Sequence, residues 1–128
     1  MRRYYVDTNV FLRFLLQDIS SQYNFARKYF VKAKNKEIEL VSCQAVIFEI
    51  DYNLRKLYGF DKDKVVKALA TIVDAPYLII EDQKAFQETL LVYLHNNLDL
   101  VDCFLFSKAK LDQAEVLSFD KGFKKRPN

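Results

Sequence analysis

Only two glycines, two prolines, two cysteines, one histidine and no tryptophan occur in this chain of 128 residues. Cys43 and Cys103 form no CxxC pair and have only His95 to join them. A Cys/His zinc site or a disulfide framework therefore has little support, and a reducing, cytoplasmic setting fits best. No apolar run approaches the length of a membrane span. Arg13 interrupts Val10 to Leu16, the one stretch that could imitate a signal peptide, so a soluble, unexported protein is expected. The scarcity of glycine and proline, beside a hydrophobic fraction of 51% and an aromatic fraction of 15%, excludes a disordered chain and points to a packed, helix-rich globule.

A single domain spanning residues 1–128 is expected, large enough to bury roughly two-thirds of the surface that the unfolded chain exposes. Arg3 to Val6 reads as a strand, and Asp7-Thr8-Asn9 offers three N-cap residues before the helical pattern of Val10, Phe11, Phe14 and Leu15. The same reading gives a helix from Ser20 to Lys36, a strand from Ile38 to Ser42 and a helix from Gln44 to Tyr58 closed by Gly59. Further helices are expected over Asp61 to Asp74, Asp82 to Asn96 and Leu100 to Leu111. Tyr77 to Ile80 and Val116 to Ser118 complete four strands. Strands alternating with helices imply a three-layer α/β/α fold around a central parallel sheet. Ligands bind such sheets outside the carboxyl ends of the strands.

Two acids fall at those ends: Asp7 after the first strand and Asp120 after the fourth. Glu49 sits among Val46, Ile47, Phe48 and Ile50, where a charge is costly unless paired or metal-bound, or unless it reaches a salt bridge at the helix edge. Asp102 lies in the first turn of the last helix, three residues after Asp99. Asp99 as N-cap with Asp102 reciprocating is one reading of that pair, and metal binding is the other. Carboxylates are hard donors, so Asp7, Glu49, Asp102 and Asp120 facing one cavity would suit Mg2+ or Mn2+. If these acids converge on a metal, the rest of the chain is more basic than its net charge of +3, which suits polyanions.

Taken in order, Tyr5-Val-Asp-Thr-Asn-Val-Phe-Leu-Arg13, Val46-Ile-Phe-Glu-Ile50, Asn97-Leu-Asp-Leu-Val-Asp102 and Leu117-Ser-Phe-Asp-Lys-Gly-Phe123 resemble the PIN-domain ribonucleases, in particular the VapC-type toxins. The resemblance implies that Asp7, Glu49, Asp102 and Asp120 coordinate Mg2+ or Mn2+, with Asp99 a secondary candidate. It implies supporting polar roles for Thr8, Asn9 and Ser118. It also implies metal-dependent hydrolysis of RNA to 5′-phosphate and 3′-hydroxyl ends, a cognate antitoxin and a homodimer. The tail Gly122 to Asn128 departs from the pattern by leaving little room for a fifth strand, so a sheet of four strands, or at most five, is expected.

Arg13, Lys108, Lys121, Lys124, Lys125 and Arg126 are candidate RNA phosphate contacts. Phe11, Phe14, Leu15, Phe25, Tyr29 and Phe30 are many apolar groups for two adjacent helices, and part of that surface is expected to be a dimer or antitoxin interface. His95 is expected only to complement a helix end. A non-catalytic PIN-like module that binds RNA or protein is the main alternative. A DNA-directed nuclease is harder to separate, because such a site reads phosphate and not sugar. A receiver-type phosphoacceptor is disfavoured, because Asp7 has no acidic neighbour.

Overall fold

A computed structural model describes residues 1–119. The chain runs β1 (Arg2–Tyr5), α1 (Thr8–Leu16), α2 (Ser20–Lys34), β2 (Ile38–Ser42), α3 (Gln44–Lys56), α4 (Lys62–Val73), β3 (Ile79–Ile80), α5 (Gln83–His95) and α6 (Leu100–Leu111). The strands pair in parallel in the order β1-β2-β3, with Tyr4 opposite Leu40 and Val41 opposite Ile79. Successive strand side chains point to opposite faces. Leu40, Val41 and Ser42 are nevertheless all buried, so both faces of the central strand are covered. This is the three-layer α/β arrangement that the alternation of elements predicts.

Local chemistry sets the helix ends. Asp7 precedes α1 in extended conformation and its side chain accepts from the Thr8 N–H, while Asp61 caps α4 by accepting from the Lys64 N–H. Behind α3, Gly59 adopts φ +66°, a conformation open to glycine at little cost, and the Phe60 N–H then bonds back to the Leu54 carbonyl. Within α3, Ile47, Ile50 and Leu54 are fully buried. Phe48 of the same helix meets Phe86 of α5 and Phe104 of α6 at ring-centroid distances of 5.5 and 5.4 Å, and Phe86 and Phe104 lie 4.6 Å apart. This aromatic triad clamps the three helices, each pair adding about 0.5–1.5 kcal/mol beyond its buried area.

The fourth strand expected at Val116 to Ser118 does not form. Residues 114–118 have no regular structure, and Leu117 and Phe119 are fully exposed. A strand is stabilised by its cross-strand partners more than by its own composition, and these residues pair with none of the described strands. The described sheet accordingly has three strands, with β1 at one edge. The third strand is also shorter than expected, because Tyr77 and Leu78 belong to the turn after Pro76. The question of a fifth strand falls outside the described residues.

Most of the aromatic surplus of the first two helices is internal. Phe11 and Phe30 are buried against each other, and Phe14 lies edge-on to Phe30 at 4.5 Å and stacks on Tyr23 at 5.6 Å. Of the six apolar residues expected to feed an interface there, Phe25 is the most exposed. The other five serve the contact between α1 and α2 or the core beneath it.

Candidate active site

The carboxyl ends of the strands carry polar residues, each set by the turn into the following helix. After β1, Asp7 is exposed and its Oδ1 is held 2.9 Å from the Thr8 N–H, which restrains the carboxylate at the start of α1. The Thr8 hydroxyl is buried, the residue being 2% exposed, and has no hydrogen-bond partner among the described residues. At the end of β2, the Ser42 hydroxyl likewise finds no partner among the described residues, on a residue that is 0% exposed. Buried hydroxyls without partners cost free energy, so two at adjacent strand ends mark a place suited to a hydrogen-bonding ligand or water.

Beyond β2 and β3 the polar groups are already paired. The Gln44 N–H donates to Glu81 Oε1 at 3.1 Å, and its side-chain amide donates to Asp82 Oδ2 at 2.8 Å. Lys108 closes this cluster from α6 at 3.1 Å from Asp82 Oδ1, and it also reaches Asp112 at 3.7 Å. The Lys108 ammonium and the Gln44 amide together hold the Asp82 carboxyl below its ordinary value. Lys108, expected as a phosphate contact, is therefore occupied by two carboxylates.

At the start of α6, Asp102 is half-buried in the first turn, where the helix dipole favours its anion. Asp99 occupies the N-cap position, and its side chain makes no capping hydrogen bond. Cys103 beside them is buried, and burial pushes its thiol up to about 11. Cys43 is only half-buried. A thiol reagent at neutral pH is expected to label Cys43 in the native protein and Cys103 only after unfolding. Equal labelling rates, read by mass spectrometry, would contradict this arrangement.

Glu49 departs from its sequence reading. It is exposed, because α3 turns Ile47 and Ile50 inward and carries the intervening Glu49 outward, so the cost of burying its charge does not arise. The buried acid of α3 is Asp51, only 3% exposed. Arg55 donates to both of its oxygens at 3.1 and 3.0 Å, and the Tyr93 hydroxyl donates to Oδ1 at 2.8 Å. Sequence reasoning overlooked Asp51, although two signals were present. It lies four residues after Ile47 and three before Leu54, on the apolar stripe itself, and Arg55 follows at ion-pair spacing.

Among the described residues, no three His, Cys, Asp or Glu side chains form a group close enough to hold a metal ion. Asp120, the fourth acid of the expected set, lies outside the described residues, as do Lys121, Lys124, Lys125 and Arg126. Ser118 is exposed in the segment after α6, and Asn9 is exposed on the first turn of α1. His95 stands in the last turn of α5, as expected. Arg13 bridges α1 to the chain behind α3, with one guanidinium nitrogen 3.1 Å from Asp18 and another donating to the Tyr58 hydroxyl at 2.7 Å.

The PIN domain family matches residues 4–128, and the chain belongs to that family. The chain is also similar to a VapC ribonuclease of Aquifex aeolicus (strain VF5), at 26% identity over 121 residues that cover 94% of this chain and 89% of that protein. No solved structure matches it. Among the described residues, no helix is long and apolar enough to cross a membrane.

Proposed function

We propose that this protein is a divalent-metal-dependent endoribonuclease and the toxin of a type II toxin-antitoxin pair. The observation that carries the reading is Asp7 at the carboxyl end of β1, restrained by the Thr8 N–H beside a buried hydroxyl that has no partner among the described residues. Membership of the PIN family and the similarity to a VapC ribonuclease support it.

Asp7, Asp102 and Asp120 would hold Mg2+ or Mn2+, and Glu49 would hold metal or position water. The donor chemistry fits, since all four are hard oxygen ligands. Such an ion, when bound, lowers the pKa of a water and offsets charge on the phosphoryl oxygens. The chain's own groups prepare the site. The Thr8 N–H fixes one oxygen of Asp7, and the amino end of α6 favours the Asp102 anion. Hydrolysis would break the bond between phosphorus and the 3′ oxygen, leaving 5′-phosphate and 3′-hydroxyl ends. The same reading includes a cytoplasmic protein, a cognate antitoxin and a homodimer. Val101 and Leu105, exposed one turn apart on α6, are candidates for the dimer contact.

A second reading, a non-catalytic PIN module, is favoured by one observation, that no three acids gather among the described residues. End chemistry and mass separate the two. Total RNA incubated with purified protein and Mn2+ is expected to yield fragments sensitive to a 5′-phosphate-dependent exonuclease, from a species sedimenting as a dimer. Intact RNA under all metal conditions would favour the binding module, and the mass of one chain at high concentration would remove the dimer.

A further inference from the structure

Beside Asp7, a cavity of about 690 Å3 opens between α1 and α2 and reaches the chain behind α3. It is lined by Asn9, Val10, Arg13, Ser21, Gln22, Phe25 and Tyr58. A second hollow of about 280 Å3 is lined by Tyr5, Asp7, Val10, Phe25 and Tyr29 among others. Val10 and Phe25 line both, so the two hollows adjoin, and the second one reaches Asp7. The larger cavity falls within the range of about 300–1,000 Å3 typical of small-molecule sites.

Its lining combines aromatic, amide, hydroxyl and cationic side chains. Phe25 and Tyr58 are 58% and 40% exposed, which leaves aromatic surface free for stacking. Asn9, Ser21 and Gln22 are exposed and carry donors and acceptors of the kind that read base edges. Arg13 supplies the positive charge. Its terminal nitrogens are steadied by Asp18 and the Tyr58 hydroxyl, and its Nε is buried. A cation held in one geometry loses less freedom on binding than a free side chain does. Six residues of helix separate Asp7 from Arg13, about 9 Å along the axis. That is a short step along a nucleic-acid strand whose neighbouring phosphate lies at Asp7.

We propose that this cavity is a specificity subsite for one unstacked nucleotide of single-stranded RNA flanking the scissile phosphate. The base stacks on Phe25 and Tyr58, its edge is read by Gln22 and Asn9, and Arg13 faces the phosphate. Single-stranded RNA is read in this manner, by aromatic stacking and by hydrogen bonds to exposed base edges. The alternative occupant is a peptide of a protein partner. The exposed amides of Asn9 and Gln22 favour the nucleotide, since an apolar peptide face would leave them unpaired.

The proposal rests on the ribonuclease reading, and the test separates the two. Gln22 and Phe25 are exposed, so Gln22→Ala and Phe25→Ala should fold normally, which thermal melting checks. Wild type and both variants are given a randomised single-stranded RNA pool in Mn2+ with the cut ends sequenced, and their affinity for a fluorescent random octamer is measured in chelator. Gln22→Ala is expected to relax base preference at one position beside the cut. Phe25→Ala is expected to weaken octamer binding and raise KM by roughly 5- to 100-fold with kcat nearly unchanged. Variants that match the cut profile and stay within twofold of the affinity of an active wild type would overturn the subsite alone and return the cavity to a protein contact. A wild type that neither binds nor cuts RNA would overturn the ribonuclease reading and the subsite with it.

Discussion

Asp51→Ala is expected to destabilise the fold by about 3–5 kcal/mol, the range for removing one partner from a buried ion pair. It would lower the melting temperature by roughly 10–20 °C. The size follows from what is left behind. Arg55, a quarter exposed, would lose both of its hydrogen bonds to the carboxylate, and the buried Tyr93 hydroxyl would lose its acceptor. Arg55 can partly recover by turning toward water, whereas Tyr93, 2% exposed, cannot. Tyr93→Phe removes only the hydroxyl and should cost about 1 kcal/mol. A calorimetric loss for Asp51→Ala no larger than that for Tyr93→Phe would show that the network does not join α3 to α5.

The same network has a pH signature. Burial first, and then the bond to Asp51, hold the Tyr93 phenol far above its ordinary value. Because the folded value is raised above the unfolded one, its contribution is complete below about pH 10 and is lost as pH rises toward the folded value. The alkaline decline in wild-type stability is therefore expected to be steeper than in Tyr93→Phe. Superimposable profiles above pH 10 would remove Tyr93 from the balance.

Asp7→Asn carries the second large effect, on activity and not on folding. The carboxamide keeps an oxygen to accept from the Thr8 N–H, so the start of α1 should survive and stability without metal should change little. What disappears is a charge that a hard divalent cation needs. Altering groups that merely support a metal's ligands costs about 10- to 100-fold, and loss of a ligand itself should exceed that. Asp102→Asn is expected to behave alike. Loss of activity accompanied by an equal loss of folding would instead assign Asp7 to capping alone.

Helix identities were legible because each rests on local information. The stripe Ile47, Ile50, Leu54 foretells α3, and the helix expected over Asp61 to Asp74 is α4, each to within a residue or two at its ends. The failed strand at Val116 to Ser118 depended instead on a partner far away in sequence, which composition does not encode. Asp7 and Asp102 were legible as acids at the starts of α1 and α6, but the surroundings of the acids were not. Glu49 and Asp51 are two residues apart, and which of them faces inward is a matter of helical phase, read correctly only when Arg55 and the flanking Ile47 and Leu54 are considered together. Asp99 carried a good capping signal and makes no cap bond, since that bond requires a rotamer that sequence does not specify.

In the proposed function, carboxylates at the strand ends enable RNA cleavage through a divalent ion. The most direct measurement is the initial rate of RNA cleavage by wild type and Asp7→Asn, each in Mn2+ and in excess chelator, with melting curves run on the same samples. Cleavage confined to wild type in Mn2+, with both proteins folded, is the predicted result. Equal rates for the two folded proteins, or a wild-type rate unchanged by chelator, would contradict it.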